Sequence, residues 1–248
     1  MILDPAFFLV AAISVACLGL SKGGFIGFGL IATPLLALAI PPVQAAAILL
    51  PIMLAQDIFS AWCFRREWDR RTILATLPGA PLGIALAWAL AACLNDAVVR
   101  VAVGLLGLVF AFNHWSGRKP MKGGLPQGMF WGTVSGFTGT LANAGGPPVL
   151  IYVLPQQLAK MTFVGTMAVF FAALNGMKLV PFFALGQFSF RNLATSTALL
   201  PLAIAANFAG IWLVRVTPVE VFYRIAYWLV LVISLALTWL GAAALLRG

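Results

Sequence analysis

Apolar stretches of about 20 residues follow one another along nearly the whole chain, each long enough to cross a hydrocarbon core of roughly 30 Å. Nothing is left over for a soluble domain, so residues 1–248 read as a single all-α polytopic membrane domain. Composition agrees. Of the 248 residues 62% are hydrophobic and 8% charged, and the mean hydropathy is +1.05, far from the values of soluble globular chains. The opening MILDPAFFLVAAIS has no basic leader and no small-residue cleavage site followed by polar sequence, so it reads as a retained membrane segment. A net charge of +9 would suggest nucleic acid in a soluble protein. Here most basic residues lie in short loops between spans, where they act as orientation signals, and no nucleic-acid partner is implied. Cys17, Cys63 and Cys93 stand alone in or beside apolar segments, so they read as small buried hydrophobes and propose neither a disulfide nor a metal site.

The pattern predicts two short apolar pieces, 6–20 and 23–40, broken at Ser21-Lys22-Gly23-Gly24, then spans near 43–64, 72–92 and 97–114. The series then repeats. Short pieces 128–142 and 145–159, broken at Asn143-Ala144, are followed by spans near 161–181, 193–214 and 219–246. Sliding the sequence by about 120 residues brings Gly19 onto Gly139, Arg71 onto Arg191, Pro81 onto Pro201 and Ile84 onto Ile204. Gln56 then falls on Gly176, beside Asn175. The chain reads as two homologous halves, about 1–117 and 125–248, each a broken helix pair followed by three transmembrane helices.

Charge gives the two halves opposite orientations. Arg65, Arg66, Arg70 and Arg71 mark one loop as cytoplasmic, and Arg118, Lys119 and Lys122 mark another, with two spans between them. Each broken segment, as a re-entrant hairpin or as two crossings, returns the chain to the side on which it began. The first half therefore starts outside and the second inside, which is an inverted repeat, the recurrent architecture of secondary transporters. Lys160, Arg215, Glu220 and Arg224 fall on the inner side as expected, whereas Arg100, Lys178, Arg191 and Arg247 fall near the outer one.

A lysine at mid-membrane costs roughly 2.5–3.5 kcal/mol on insertion scales, so Lys22 is expected to face a cavity or a partner. The glycines around it, Gly19, Gly23, Gly24, Gly27 and Gly29, weaken a helix and allow close approach. If the chain breaks there, a piece starting at Gly23 would present free amides and the positive end of its dipole beside the ammonium, a setting for an anion. In the second half, Thr138, Thr140 and Asn143 offer donors, Gly145 and Gly146 permit close approach, and Pro147 suits a first helical turn. The expected substrate-binding set is thus Ser21, Lys22, Gly23, Gly24, Thr138, Thr140, Asn143, Gly145 and Gly146, with the two half-helix ends facing each other near the midplane.

Competing readings stand beside this one. The spacings Gly23/Gly27, Gly79/Gly83 and Gly132/Gly136 can serve helix packing alone, which is the preferred reading for the last two, and Lys22 can snorkel to an interface. Of six acidic residues only Asp57 lies within a predicted span. It reads either as a proton carrier, with Gln56 and Asn175 as polar lining, or as an interfacial acid paired with Arg65 or Arg66. Lys178 is expected to snorkel at an outer helix end, and His114 beside Trp115 reads as an interfacial anchor. Trp62, Trp68, Trp115, Trp131 and Trp212 read as aromatic-belt residues.

Enzyme motifs are missing from the sequence. There is no H-E-x-x-H, no G-x-S-x-G, no Walker lysine and no cofactor-binding signature, and one histidine with one intramembrane acid cannot assemble a hydrolase. The segments GLSKGGFIGFGLIATPLL, SGFTGTLANAGGPPVLIYVL, LPGAPLGIALAWAL and LLPLAIAANFAGIWL resemble the TauE/SafE sulfite exporter family of bacterial membrane permeases, over nearly the whole chain. The resemblance implies secondary transport of a small anion, sulfite or an organosulfonate, across a bacterial inner membrane. Lys22 before Gly23-Gly24 departs from the family's commoner glycine run, which favours an anionic substrate and leaves its identity open. A passive anion channel, or a non-transport membrane protein on the same fold, is the rival reading. Direction, coupling ion and homo-oligomerisation are open.

Overall fold

The computed structural model describes residues 5–37, 39–40, 42–90, 95–115, 123–141, 143–184 and 189–247. Asp4, Cys93, Arg118, Lys119 and Lys122, and the side chains of Asp96, His114, Trp115 and Arg247, lie outside what is described. The described residues are all-helical, and in chain order the helices are α1 (Pro5–Gly23), α2 (Gly29–Leu36), α3 (Pro42–Cys63), α4 (Arg70–Thr76), α5 (Gly79–Leu90), α6 (Asp96–Trp115), α7 (Leu125–Leu141), α8 (Gly146–Val153), α9 (Lys160–Ala184), α10 (Phe190–Val216) and α11 (Val219–Arg247). Among the described residues, five stretches are long and apolar enough to span a bilayer: Gln44–Cys63, Arg70–Leu90, Lys160–Ala184, Phe190–Val216 and Val219–Leu246. Large apolar side chains such as Phe112, Phe183, Trp212 and Trp239 are exposed along the helices, while polar side chains such as Gln56, Ser60, Thr166 and Asn207 are buried. That distribution suits lipid as the surrounding solvent, since hydrocarbon offers apolar groups a home and polar groups none.

The elements begin where short-range chemistry dictates. Asp69 caps α4 by accepting from the Thr72 amide at 2.6 Å, and Ser189 caps α10 by accepting from the Asn192 amide at 3.2 Å. The span predicted over 72–92 is interrupted between Thr76 and Gly79, where Pro78 supplies no backbone donor.

The chain falls into two compact units that do not follow the two sequence halves. The first comprises residues 1–68 and 164–218, hence α1, α2, α3, α10 and most of α9. Its apolar core gathers Phe7, Val15 and Leu18 of α1, Leu36 of α2, Ile48 and Ile52 of α3 and Leu199 of α10. Here α1 lies against α10 at backbone distance. A Cβ built on Gly23 would stand 2.5 Å from the Gly210 Cα, and one on Gly19 would stand 2.4 Å from the Ala206 Cβ.

The second unit comprises residues 69–163 and 219–248. In it α7 packs against α4 and α5 through four glycines. A Cβ on Gly79 or Gly83 would meet the carbonyl of Met129 or Thr133, and one on Gly132 or Gly136 the carbonyl of Thr76 or Ala80, all within 2.3 Å. These spacings serve close helix packing, as their sequence pattern suggested. α11 packs along α6, with Gly104 and Gly107 against Ser234 and Thr238.

Candidate functional site

The first break follows from turn chemistry. The Gly24 amide donates to the Ser21 carbonyl and the Phe25 amide to the Leu20 carbonyl, both at 3.1 Å, which is the paired bonding of a Schellman helix end. Gly24 has φ +138°, a conformation that a Cβ would oppose, and a Cβ there would also lie 2.6 Å from Val214. Helix α1 therefore continues through Lys22 to Gly23, and the chain restarts as a short 3₁₀ turn at Ile26–Phe28 before α2.

This corrects the expected electrostatics at Lys22. No new helix begins at Gly23, and the Gly24 and Phe25 amides are spent on closing α1. Lys22 lies in the last turn of α1, at the negative end of its dipole, which favours the ammonium rather than competing with it.

The ammonium does not snorkel. Lys22 Nζ is 2.6 Å from Asp57 Oδ1 on α3, with the two side chains 9% and 1% exposed, and it stands 5.1 Å from the centre of the Phe171 ring of α9. Asp57 is thus the partner of Lys22, and the alternative pairing with Arg65 or Arg66 is overturned. The Arg65 guanidinium instead covers the exposed Trp62 ring at 4.8 Å. The other Asp57 oxygen, Oδ2, accepts from Asn175 Nδ2 at 2.7 Å, and Asn175 Oδ1 accepts from Lys178 Nζ at a long 3.5 Å.

Lys178 is likewise corrected. It is 2% exposed, because α9 runs on to Ala184 and keeps this turn inside the unit instead of at a helix end. The result is a buried row, Lys22–Asp57–Asn175–Lys178, contributed by α1, α3 and α9.

A neutral seam holds the row in place. The Ser60 hydroxyl donates to the Lys22 carbonyl at 2.9 Å, satisfying an acceptor that the end of α1 would otherwise leave orphaned. Asn207 of α10 donates to Ser60 Oγ at 3.0 Å and to the Gln56 carbonyl at 3.1 Å, and Gln56 Nε2 donates to the Ala203 carbonyl at 2.9 Å. Ser60 and Asn207 were not foreseen. The signal for them in the sequence is their polarity inside apolar spans, as one acid and two lysines within spans signal pairing.

The second break behaves differently from expectation in its hydroxyls. α7 ends at Leu141, and Asn143 adopts φ +54°, which asparagine tolerates better than most residues. Thr138 Oγ1 donates to the Val134 and Ala144 carbonyls at 2.8 and 3.0 Å, Thr140 Oγ1 to the Gly136 carbonyl at 2.8 Å and Ser135 Oγ to the Gly145 carbonyl at 2.6 Å. In the first break the Ser21 hydroxyl does the same for Ile26 at 2.8 Å. The Ala144 carbonyl faces Pro148 four residues on and so lacks an amide partner, and the Thr138 hydroxyl supplies a donor there, whereas the bonds to Val134 and Gly136 are back-bonds to carbonyls one turn earlier in α7. Their hydrogens therefore serve the protein rather than standing ready for a ligand. Gly145 and Gly146 open α8, and because Pro147 and Pro148 lack an N–H, these two amides are the donors of that helix start.

Of the expected set, then, the structure brings Lys22, Asp57 and Asn175 together, with Gln56 one residue away. Ser21, Gly23 and Gly24 shape the turn beside them. Thr138, Thr140, Asn143, Gly145 and Gly146 belong to the second unit.

The chain matches the family model described as "Sulfite exporter TauE/SafE" over residues 10–237. No curated protein and no solved structure matches it. With a match over nearly its whole length, on a multi-pass helical framework, the chain belongs to the TauE/SafE sulfite exporter family.

Proposed function

We propose that the protein carries a small sulfur oxyanion, sulfite or an organosulfonate, out across a bacterial inner membrane by alternating access. The observation that carries this reading is the buried ammonium of Lys22 at the helix break, held where a membrane interior tolerates a cation only with an anionic partner. The Gly145 and Gly146 amides, with Thr138, Thr140 and Asn143 around them, make up the second broken segment of such a carrier. Gln56, Asp57 and Asn175 are its polar lining and coupling groups.

The inverted repeat that the charge pattern of the sequence implies would favour a carrier over a fixed pore. Asp57 of α3 and Asn175 of α9, which touch, lie near positions that the shift of about 120 residues makes equivalent. Each compact unit also joins the broken pair of one sequence half to a later span of the other, α1 to α10 and α7 to α5. Cysteines placed at Ala39 and Leu125, in a protein freed of its own cysteines, should react with a membrane-impermeant maleimide from opposite sides. Labelling of both from one side would break the inverted-repeat assignment.

The functional test is thermal stabilisation of the purified protein by sulfite, sulfate, taurine or sulfoacetate, followed by flux of the best stabiliser in proteoliposomes. We expect one sulfur oxyanion to raise the unfolding temperature and its flux to saturate. The Lys22→Met/Asp57→Asn protein, which removes both charges together, should lose that response. Non-saturating flux would favour a channel, and no flux of any of the four would favour a non-transport role.

A further inference from the structure

Lys22 already holds an anion, and that anion belongs to the protein. Asp57 Oδ1 occupies the ammonium at 2.6 Å, so a substrate anion drawn to the same nitrogen competes with a carboxylate. Burying two anions on one cation is strongly disfavoured in a low-dielectric interior, and a carboxylate that leaves one ammonium there needs another.

The geometry points to Asp57 as an internal stand-in for the transported anion, displaced from Lys22 by the substrate and passed along Asn175 to Lys178. This inference rests on the anion-transport reading above. The route is already laid out in the structure. Asn175 donates to Asp57 Oδ2 at 2.7 Å and accepts from Lys178 at 3.5 Å, so one amide lies between the carboxylate and the second ammonium. Asn175 and Lys178 are three residues apart on α9, hence on one face, and are 1% and 2% exposed.

The groups facing Asp57 are the Lys22 ammonium from α1 and Asn175 and Lys178 from α9, while the neighbouring seam of Gln56, Ser60 and Asn207 is neutral. With a monovalent oxyanion on Lys22 and the carboxylate on Lys178, two cations face two anions. The substrate class that fits is therefore a single monovalent anionic head that places an oxygen on the Lys22 ammonium where Asp57 Oδ1 now sits. Lys178 is a positioning residue in this scheme and acts on substrate affinity through Asp57.

The test is sulfite binding by calorimetry on the full-length protein and on Asp57→Asn, Lys178→Met and the double variant. Removing the competitor should tighten sulfite binding by about tenfold or more, and removing the receiving cation should weaken it by about tenfold or more. The double variant should return to within about threefold of Asp57→Asn, since without the carboxylate Lys178 has nothing to receive. Equal affinity of wild type and Asp57→Asn would overturn the stand-in role. A double variant as weak as Lys178→Met would place Lys178 on the substrate itself and overturn the relay. Should Asp57→Asn not fold, the infrared carboxylate band of the wild type decides: sulfite should shift it, and an unmoved band overturns the proposal. If the wild type binds no sulfite and none of the other three anions, the transport reading falls, and this inference falls with it.

Discussion

Replacing Lys22 alone by methionine should destabilise the protein by about 3–5 kcal/mol, the usual cost of leaving one member of a buried ion pair without the other. For a chain of this size that corresponds to a fall of roughly 10 °C or more in unfolding temperature. The reason lies in Asp57. Its side chain is 1% exposed, and the ammonium is its one full counter-charge at hydrogen-bond distance among the described residues, with Asn175 contributing an amide. Methionine fills a volume close to that of the lysine stem, so the loss would report charge rather than packing. The double variant Lys22→Met/Asp57→Asn should recover most of the stability, because replacing both members of a buried pair by neutral groups is often close to neutral. Thermal unfolding in detergent checks both. A single variant as stable as the parent would show that Asp57 does not depend on the ammonium. A double variant no better than the single would show that Lys22 matters through its stem and not through its charge.

The spans were legible because lipid imposes a coarse rule. About 20 apolar residues are needed per crossing, and the ends predicted at 43–64 and 219–246 fall within a residue or so of α3 and α11. The α5–α7 glycines were legible for a related reason, since a repeated small residue at helical spacing has few uses besides close packing. The first break was misplaced by a few residues because its location depends on which glycine takes the positive φ. The pair Gly23-Gly24 offers two candidates, and the contact of Gly23 with Gly210 leaves Gly24 to make the turn.

The polar site was only half legible. A buried lysine announces a partner without naming it, and the partner is 35 positions away in the chain, on a helix whose nearby arginines offered a closer candidate. The burial of Lys178 is not legible because distance from an apolar segment's end does not report depth, and α9 runs on to Ala184, past the predicted end at 181. The hydroxyls of Ser21, Thr138 and Thr140 were misread for a different reason. A hydroxyl beside a break has nearby carbonyls as rivals for its proton, Ile26 for Ser21, Ala144 for Thr138 and the preceding turn's Gly136 for Thr140, and composition does not show them.

Gly23→Ala is expected to damage both the fold and the site, more severely than the same change at the facing glycine. The Cβ added at Gly23 would lie 2.5 Å from both the Cα and the carbonyl carbon of Gly210 and 2.6 Å from the Ile211 nitrogen, all backbone atoms that no rotamer change can move. The Cβ added at Gly210 would meet its nearest atoms, the Gly19 carbonyl oxygen and the Gly23 and Leu20 Cα atoms, at 3.0 Å, a contact that a small shift relieves. Overpacking of this kind costs about 1–3 kcal/mol, and Gly23→Ala should sit at the upper end or beyond. Gly176→Ala supplies the control. It lies on α9 one residue from Asn175, nothing stands within 4 Å of its added Cβ, and alanine favours the helix by up to about 1 kcal/mol, so its stability should hold or rise. Because Lys22 is the residue before Gly23, pushing α1 off α10 also draws the ammonium from Asp57. Sulfite stabilisation should therefore fall in Gly23→Ala and persist in Gly176→Ala. If Gly23→Ala unfolds at the parent's temperature and keeps its anion response, the backbone contact between α1 and α10 is not what sets the position of the lysine.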